Sequence, residues 1–208
     1  MLKHFFTNSA GIFISRILGF LRDLLTAASL GAGLWSDIFF VAFKLPNLFR
    51  RLFGEGAFTQ AFLPHFIKSN KKGLFIAEVL VKFSAFMLGL SLLVMLFTPL
   101  FTKLLAYGFD ENCIALAQPL VRINFWYLLC IFIVSVFASA LQYRSHFATS
   151  AFSTALLNIS MIFALIFAYN KPQNEIALYL SWGVVFGGLM QVLAHLFAMK
   201  KLGLLKIL

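Results

Sequence analysis

The stretch INFWYLLCIFIVSVFASALQY, residues 123–143, holds 21 residues without a formal charge. Such a run is long enough to cross about 30 Å of hydrocarbon as an α-helix. A barrel strand needs only roughly ten residues and alternates apolar with polar side chains, which this run does not do. The stretch therefore predicts a membrane-spanning helix.

Three more runs of this kind follow the same pattern. Residues 83–102, 147–170 and 176–199 contain 20, 24 and 24 residues, and only His195 interrupts the last one. The chain is 62% hydrophobic and 12% charged, whereas soluble domains have about 25% charged residues. Lipid must therefore solvate much of its surface. We predict an all-α, polytopic transmembrane helix bundle.

Two less regular spans precede these runs. Residues 8–30 and 36–62 are apolar but contain charged residues, and the turn-rich GAG of residues 31–33 separates them. The first span is predicted to be an uncleaved helix, because charges interrupt it and no compact signal-peptide core is present. Six helices are thus expected in one unit, residues 1–208, with bounds of about 8–30, 36–62, 76–104, 119–143, 147–170 and 176–199.

The basic residues of the loops predict the orientation. With a cytoplasmic N-terminus, eight lie on the cytoplasmic side: Lys3, Lys68, Lys71, Lys72, Arg144, Lys200, Lys201 and Lys206. The opposite side holds Lys171, and Lys103 at a helix end. We therefore expect both termini in the cytoplasm. The net charge of +10 then reflects anionic membrane lipids and cations inside the bundle, and no nucleic-acid partner is expected.

The first two spans contain charged residues that the later runs avoid. They are Arg16, Arg22, Asp23, Asp37, Lys44, Arg50, Arg51 and Glu55. A charge at mid-bilayer costs about 2.5–3.5 kcal/mol on insertion scales, so such residues normally face a bundle interior or a wet cavity. The simpler alternative is that the charged residues near helix ends extend to the lipid headgroups. They could also form ion pairs with one another, as Arg51 and Glu55 could at i,i+4.

Helix geometry separates these charges into faces. An ideal helix turns about 100° per residue. One stripe about 40° wide then holds Asp37, Lys44, Arg51 and Glu55. Arg50 lies about 100° from Arg51, and Pro46 should kink the helix, so the stripe need not continue past it. The GEG of residues 54–56 should loosen the end of this helix.

The surplus of cations predicts the kind of ligand. Arginine has a planar fork that suits phosphate oxygens and stays charged when it is desolvated. We therefore predict a wet, cationic cavity for an anion, in particular a phosphate. No catalytic residue, metal site or cofactor is predicted. Cys113 and Cys130 indicate no disulfide framework, and the histidines (His4, His65, His146 and His195) are expected at the membrane interface. The G-x-x-x-G of residues 183–187 predicts close helix packing.

Three segments resemble a known family. They are SRILGFLRD (residues 15–23), SDIFFVAFKLPNLFRRLFGEGAFTQAFLP (residues 36–64) and LLNISMI (residues 156–162). Their sequences and spacing are similar to the MurJ, or MviN, family of bacterial lipid II flippases in the multidrug/oligosaccharidyl-lipid/polysaccharide exporter superfamily. The resemblance covers the whole chain. It implies the N-terminal lobe of a two-lobe flippase, which moves undecaprenyl-diphosphate-linked peptidoglycan precursor across the bacterial cytoplasmic (inner) membrane by alternating access.

The resemblance also implies a set of site residues. The arginines of the family's cavity match Arg16, Arg22 and Arg50. Its acidic positions match Asp23, Asp37 and Glu55. Substrate-binding residues are then expected to be Arg16, Arg22, Arg50, Asp23 and Asp37, with Lys44, Arg51 and Glu55 secondary. The helical stripe favours Arg51 and the family pattern favours Arg50; the proline kink makes the stripe the weaker guide.

The expected partners are lipid II, membrane lipids and a second lobe. The family has two helical lobes and this chain matches the N-terminal one, so the C-terminal lobe is expected in cis or as a separate chain. An alternative is a flippase for another polyprenyl-linked oligosaccharide. A membrane enzyme for polyprenyl phosphates is a less favoured alternative, because it would need a positioned base, nucleophile or metal site.

Overall fold

The computed structural model describes residues 2–54 and 57–204, and the regular structure within those ranges is entirely helical. Its helices are α1 (Leu2–Leu30), α2 (Leu34–Gly54), α3 (Ala57–Lys68), α4 (Lys72–Leu96), α5 (Thr98–Leu105), α6 (Glu111–Tyr143), α7 (Ala148–Phe167) and α8 (Gln173–Lys201). The predicted all-α class is confirmed. By length and composition, α4, α6, α7 and α8 could cross a membrane. The count of six crossings stays a prediction.

Two of the predicted spans are described in two parts. In the span of residues 36–62, α2 is described to Gly54 and α3 from Ala57. Glu55 lies outside the described residues. The span of residues 76–104 becomes α4 and α5, which meet at Phe97. Pro99 follows in the first turn of α5, where a missing N–H costs no helical hydrogen bond.

The long helix α6 forms the centre of the bundle. It packs against α2, α4 and α8, and α3 and α5 also contact it. Tyr127, Leu128 and Val136 on α6 are 0% exposed. On the other side of the bundle, α7 packs between α1 and α8. The helices α1 and α2 follow each other in sequence but contact each other little, so space remains between them.

Close packing joins α7 to α8. A Cβ atom at Gly183 would lie 2.8 Å from Ala164 Cβ, and one at Gly187 would lie 2.8 Å from Leu157 Cδ1. Only glycine permits these approaches. The predicted packing role of the G-x-x-x-G is confirmed.

The outer faces of the helices are strongly apolar. Phe20 on α1, Phe86 on α4, Phe163 on α7 and Phe197 on α8 are each more than half exposed. A soluble protein rarely exposes so many large apolar side chains, whereas a bundle in lipid does so at no cost. The exposed faces therefore agree with a membrane protein.

Candidate functional site

A polar cavity of about 340 Å³ lies where α1, α2, α3, α6, α7 and α8 meet. Arg16 of α1 and Arg50 of α2 both line it. Its neutral polar lining consists of Ser15, Thr59, Ser135, Gln142, Ser150, Ser153, Thr154, Gln191 and His195. No carboxylate lines the cavity within the described ranges. The cavity therefore combines two cations with hydrogen-bonding groups, which suits an anion.

Arg50 and its neighbour Arg51 lie in different places. Arg50 is half-buried and donates from Nε to Asn47 Oδ1 at 3.1 Å, one turn earlier on α2. Arg51 lines a separate shallow groove with Lys44, and both side chains are exposed. The helical rotation of about 100° between adjacent residues accounts for the difference. Arg50, not Arg51, is thus in a position to meet a ligand in the cavity.

Arg22 is held at the seam between α1 and α7. Its Nε and Nη2 donate to Asp23 Oδ1 at 3.0 and 2.6 Å, and its Nη1 donates to Asn158 Oδ1 at 2.8 Å. Asn158 in turn donates from Nδ2 to the backbone oxygen of Ser15 at 3.0 Å. The side chain of Arg22 is 21% exposed. Arg22 does not line the cavity, and its charge is paired with that of Asp23.

Asp37 lies far from the cavity. It is exposed in the first turn of α2, and 13 residues separate it from Arg50, which is about 20 Å along a helix. A carboxylate at that position interacts favourably with the positive end of the helix dipole. The structure therefore does not bring Asp37 together with Arg16 and Arg50.

A buried polar network forms part of the cavity wall. Tyr127 donates from its hydroxyl to Gln191 Oε1 at 3.2 Å, and Gln191 donates from Nε2 to the backbone oxygen of Ser153 at 2.8 Å. His195 Nδ1 lies 2.8 Å from the backbone oxygen of Gln191. The side chain of His195 is 0% exposed, a burial that the sequence did not predict, and its position at the membrane interface stays a prediction. The signal was present, because Gln191 and His195 lie four apart in an otherwise apolar run and share a helix face.

Hydroxyl groups line the opposite wall. Thr59 Oγ1 and Ser139 Oγ are 2.8 Å apart, and Ser139 donates to the backbone oxygen of Ser135 at 2.8 Å. The first bond links α3 to α6, and the second lies within α6. Among the described residues there is no group of three or more His, Cys, Asp or Glu placed to hold a metal ion.

Comparisons of the sequence with known proteins identify one and the same family. A sequence model of the family described as "Lipid II flippase MurJ" matches residues 26–208. The "Probable lipid II flippase MurJ" of Helicobacter pylori (strain ATCC 700392 / 26695) is 52% identical over 179 residues, which cover 86% of this chain and 39% of that protein. The "Lipid II flippase MurJ" of Burkholderia cenocepacia is 31% identical over 217 residues, which cover 100% of this chain and 42% of that protein.

A solved structure agrees with the sequence comparisons. The structure described as "Lipid II flippase MurJ, inward closed conformation" matches with a TM-score of 0.80 at 27% sequence identity. The match covers 90% of this chain and 41% of that one. The chain thus spans about two fifths of the length of the curated relatives it matches.

Proposed function

The chain belongs to the MurJ family of lipid II flippases, and from this premise we propose that it is the N-terminal lobe of such a flippase. Its cargo is undecaprenyl-diphosphate-linked peptidoglycan precursor. The lobe holds the diphosphate in the cavity of Arg16 and Arg50 while the polyprenyl tail stays in lipid between helices. Alternating access then moves the cargo across the bacterial cytoplasmic membrane.

One observation supports this proposal most directly. Two guanidinium groups from different helices line one cavity, without a carboxylate in its described lining. Arg16 is exposed and Arg50 is half-buried, so both guanidinium groups are accessible to an anion that enters the cavity. The planar guanidinium matches phosphate oxygens with two parallel hydrogen bonds. A volume of about 340 Å³ suits a diphosphate group, and the sugars and peptide of the precursor must extend beyond it.

The other predicted site residues receive separate roles in this proposal. Arg22 lies six residues after Arg16, about 9 Å along the helix, and holds α1 against α7 through Asn158. Asp23 holds the guanidinium of Arg22 in place. Lys44 and Arg51 contact anionic lipid or the second lobe from their own groove. Asp37 acts at the opposite end of α2.

The proposed lobe is one transmembrane unit of residues 1–208, with six crossings and both termini in the cytoplasm. A second lobe, in cis or as a separate chain, completes the transporter, because alternating access requires one lobe to move against another. The exposed apolar face of α1, which includes Phe13, Ile17, Phe20 and Leu24, offers a surface for lipid and for that lobe. This arrangement agrees with the chain's share of its relatives' length.

Substitutions of Arg50 and of its neighbour Arg51 test the proposed diphosphate site. The full chain is purified in lipid nanodiscs and examined by native mass spectrometry with lipid II and with uncharged undecaprenol. We expect retention of lipid II alone. Arg50→Gln and Arg16→Gln should each weaken retention about tenfold or more, since a hydrogen bond to a charged group contributes roughly 1.5–3 kcal/mol.

Arg51→Gln is the matched control, because it removes the same charge from the next position on the same helix and should leave retention unchanged. Equal retention of both lipids, or equal losses in Arg50→Gln and Arg51→Gln, would contradict the proposal. Competition by another undecaprenyl-diphosphate oligosaccharide measures how far binding depends on the sugar and tests the alternative cargo.

A further inference from the structure

One ring nitrogen of His195 already has a hydrogen-bond partner. The residue lies on α8 in the cavity wall with a side chain that is 0% exposed. Its Nδ1 lies 2.8 Å from the backbone oxygen of Gln191. A carbonyl oxygen only accepts hydrogen bonds, so Nδ1 must bear a proton. In the neutral ring, Nε2 is then left with a lone pair.

The other nitrogen lacks a partner. Nε2 is buried and has no hydrogen bond to any described residue, and the same holds for Ser150 Oγ and Ser153 Oγ on α7. All three residues line the cavity of Arg16 and Arg50. Buried polar groups in proteins nearly always have partners. Three unpartnered groups around one cavity therefore point to a ligand that partners them.

The groups around His195 determine its charge state. Arg16 from α1 and Arg50 from α2 line the same cavity. Tyr127 of α6 reaches it through Gln191, His146 acts on the ring electrostatically, and α7 contains no titratable side chain. The side chain is 0% exposed, and burial disfavours the charged form of an imidazole, so the ring is neutral in the empty cavity. A bound anion reverses this preference.

We propose that His195 is a third contact for the anion and becomes protonated when the anion binds. The imidazolium then donates from Nε2 to a phosphate oxygen, while Nδ1 keeps its bond to Gln191. One proton moves from water to Nε2 for each anion bound, and no covalent bond of the cargo changes. This inference rests on the proposed function, because it takes the same cavity as the diphosphate site.

Proton uptake makes binding depend on pH. The ring is neutral in the free protein and protonated in the complex, so raising the pH removes a reactant. The affinity should fall by up to about tenfold per pH unit over the range where this difference holds.

Calorimetry on the full chain in lipid nanodiscs tests the inference. Binding of farnesyl diphosphate is measured in two buffers of different ionisation enthalpy, which gives the number of protons taken up. The variants are His195→Gln and the control His65→Gln. His65 has the same type of bond, Nδ1 to the Ala61 oxygen at 3.0 Å, but is exposed and outside the cavity.

We expect the unmodified chain and His65→Gln to take up about one proton more than His195→Gln. The difference between variants is used because the terminal phosphate of the probe also titrates. Equal proton counts for His195→Gln and the unmodified chain would overturn the inference. Farnesol binding as tightly as farnesyl diphosphate would overturn the proposed function as well, so the two failures are distinguishable.

A spectroscopic measurement covers the case in which His195→Gln does not fold. A chain with His4→Gln, His65→Gln and His146→Gln retains His195 as its single histidine and is labelled with ¹⁵N in the ring. Addition of farnesyl diphosphate should shift the ring nitrogens from the neutral Nδ1–H tautomer to imidazolium. A ring that stays neutral when the probe is bound contradicts the inference.

Discussion

The first two helices and the last three use polar residues in opposite ways. Between α6 and α8, Asn124 donates to Ser181 at 3.0 Å, and both side chains are neutral and 0% exposed. On α1 and α2 many of the polar residues are charged, and the described charged residues are partly or fully exposed. Arg22 pairs with the next residue along the chain, and Arg51 faces outward.

This difference separates two tasks. A neutral hydrogen bond between helices fixes their register at a modest cost, because both partners lose water and gain each other. A charge within the membrane is retained only where a partner or a wet cavity offsets its cost. We therefore expect the Asn124–Ser181 contact to serve packing, whereas α1 and α2 supply the two arginines that line the cavity. The following predictions test this division, from the largest expected effect to the smallest.

The contact between α6 and α8 should not tolerate a side chain larger than that of glycine at position 188. A Cβ at Gly188 on α8 would lie 2.6 Å from Tyr127 Cδ2 and 2.9 Å from Cys130 Cβ, both on α6. We expect Gly188→Ala to lower the free energy of unfolding by about 3 kcal/mol, because the buried Tyr127 ring must move. Thermal unfolding in detergent measures this loss.

Gly89→Ala is the control for that substitution. Gly89 lies on the lipid-facing helix α4, and a Cβ there would meet nothing within 4 Å. Alanine should leave stability unchanged or raise it by up to about 1 kcal/mol. Equal losses at Gly188 and Gly89 would mean that the α6–α8 seam is not tightly packed.

The seam between α1 and α7 should depend on Asn158. Asn158→Ala removes the bond from Arg22 and the bond to the Ser15 backbone, which together contribute about 2 kcal/mol. We expect faster hydrogen exchange in α1 and unchanged exchange in α6 and α8. Asn124→Ala is the matched control and should affect α6 and α8 instead. If both substitutions loosen the same helices, the comparison between the two regions does not hold.

The smallest effect is expected at the start of α6. Asp110 caps this helix and accepts a bond from the Cys113 backbone N–H at 2.8 Å. Hydrogen bonds from the Cys113 side chain and backbone lower the pKa of Asp110 below its usual 3.8. Its carboxylate therefore stabilises α6 fully above about pH 4, and this contribution is lost as the pH falls through the lowered pKa.

Asp110→Asn tests that capping role. The variant should exchange its first-turn amides slightly faster at neutral pH, and the difference from the unmodified chain should vanish in acid. Glu111→Gln, one residue later, should show no such pH-dependent difference. A difference that persists at low pH would show that the charge of Asp110 does not act on α6.

The sequence predicts the helical class well, for a physical reason. Long uncharged runs such as residues 123–143 have one solution in lipid, the helix. The break at Phe97 was not predicted, because it falls inside an apolar run and only Pro99 signals it. The weakness predicted at residues 54–56 from its two glycines stays a prediction, because residues 55 and 56 lie outside the described ranges.

The candidate site was only partly predictable. Arg50 and Arg51 separate because of helical rotation, which sequence position alone gives. The bond between Arg22 and Asn158 joins residues 136 apart, and depends on which face of α7 meets α1. His195 was missed for a similar reason, since a lone histidine near a helix end looks interfacial until the packing of α8 is known.

The sparse contact between α1 and α2 has a mechanical consequence. Arg16 is carried by α1, which packs on α7, whereas Arg50 is carried by α2, which packs on α6. The distance between the two guanidinium groups therefore depends on how the α1–α7 pair is placed relative to the α2–α6 pair. Any movement of α7 relative to α6 changes the distance between these two groups, and a pair of spin labels at these positions would measure that change.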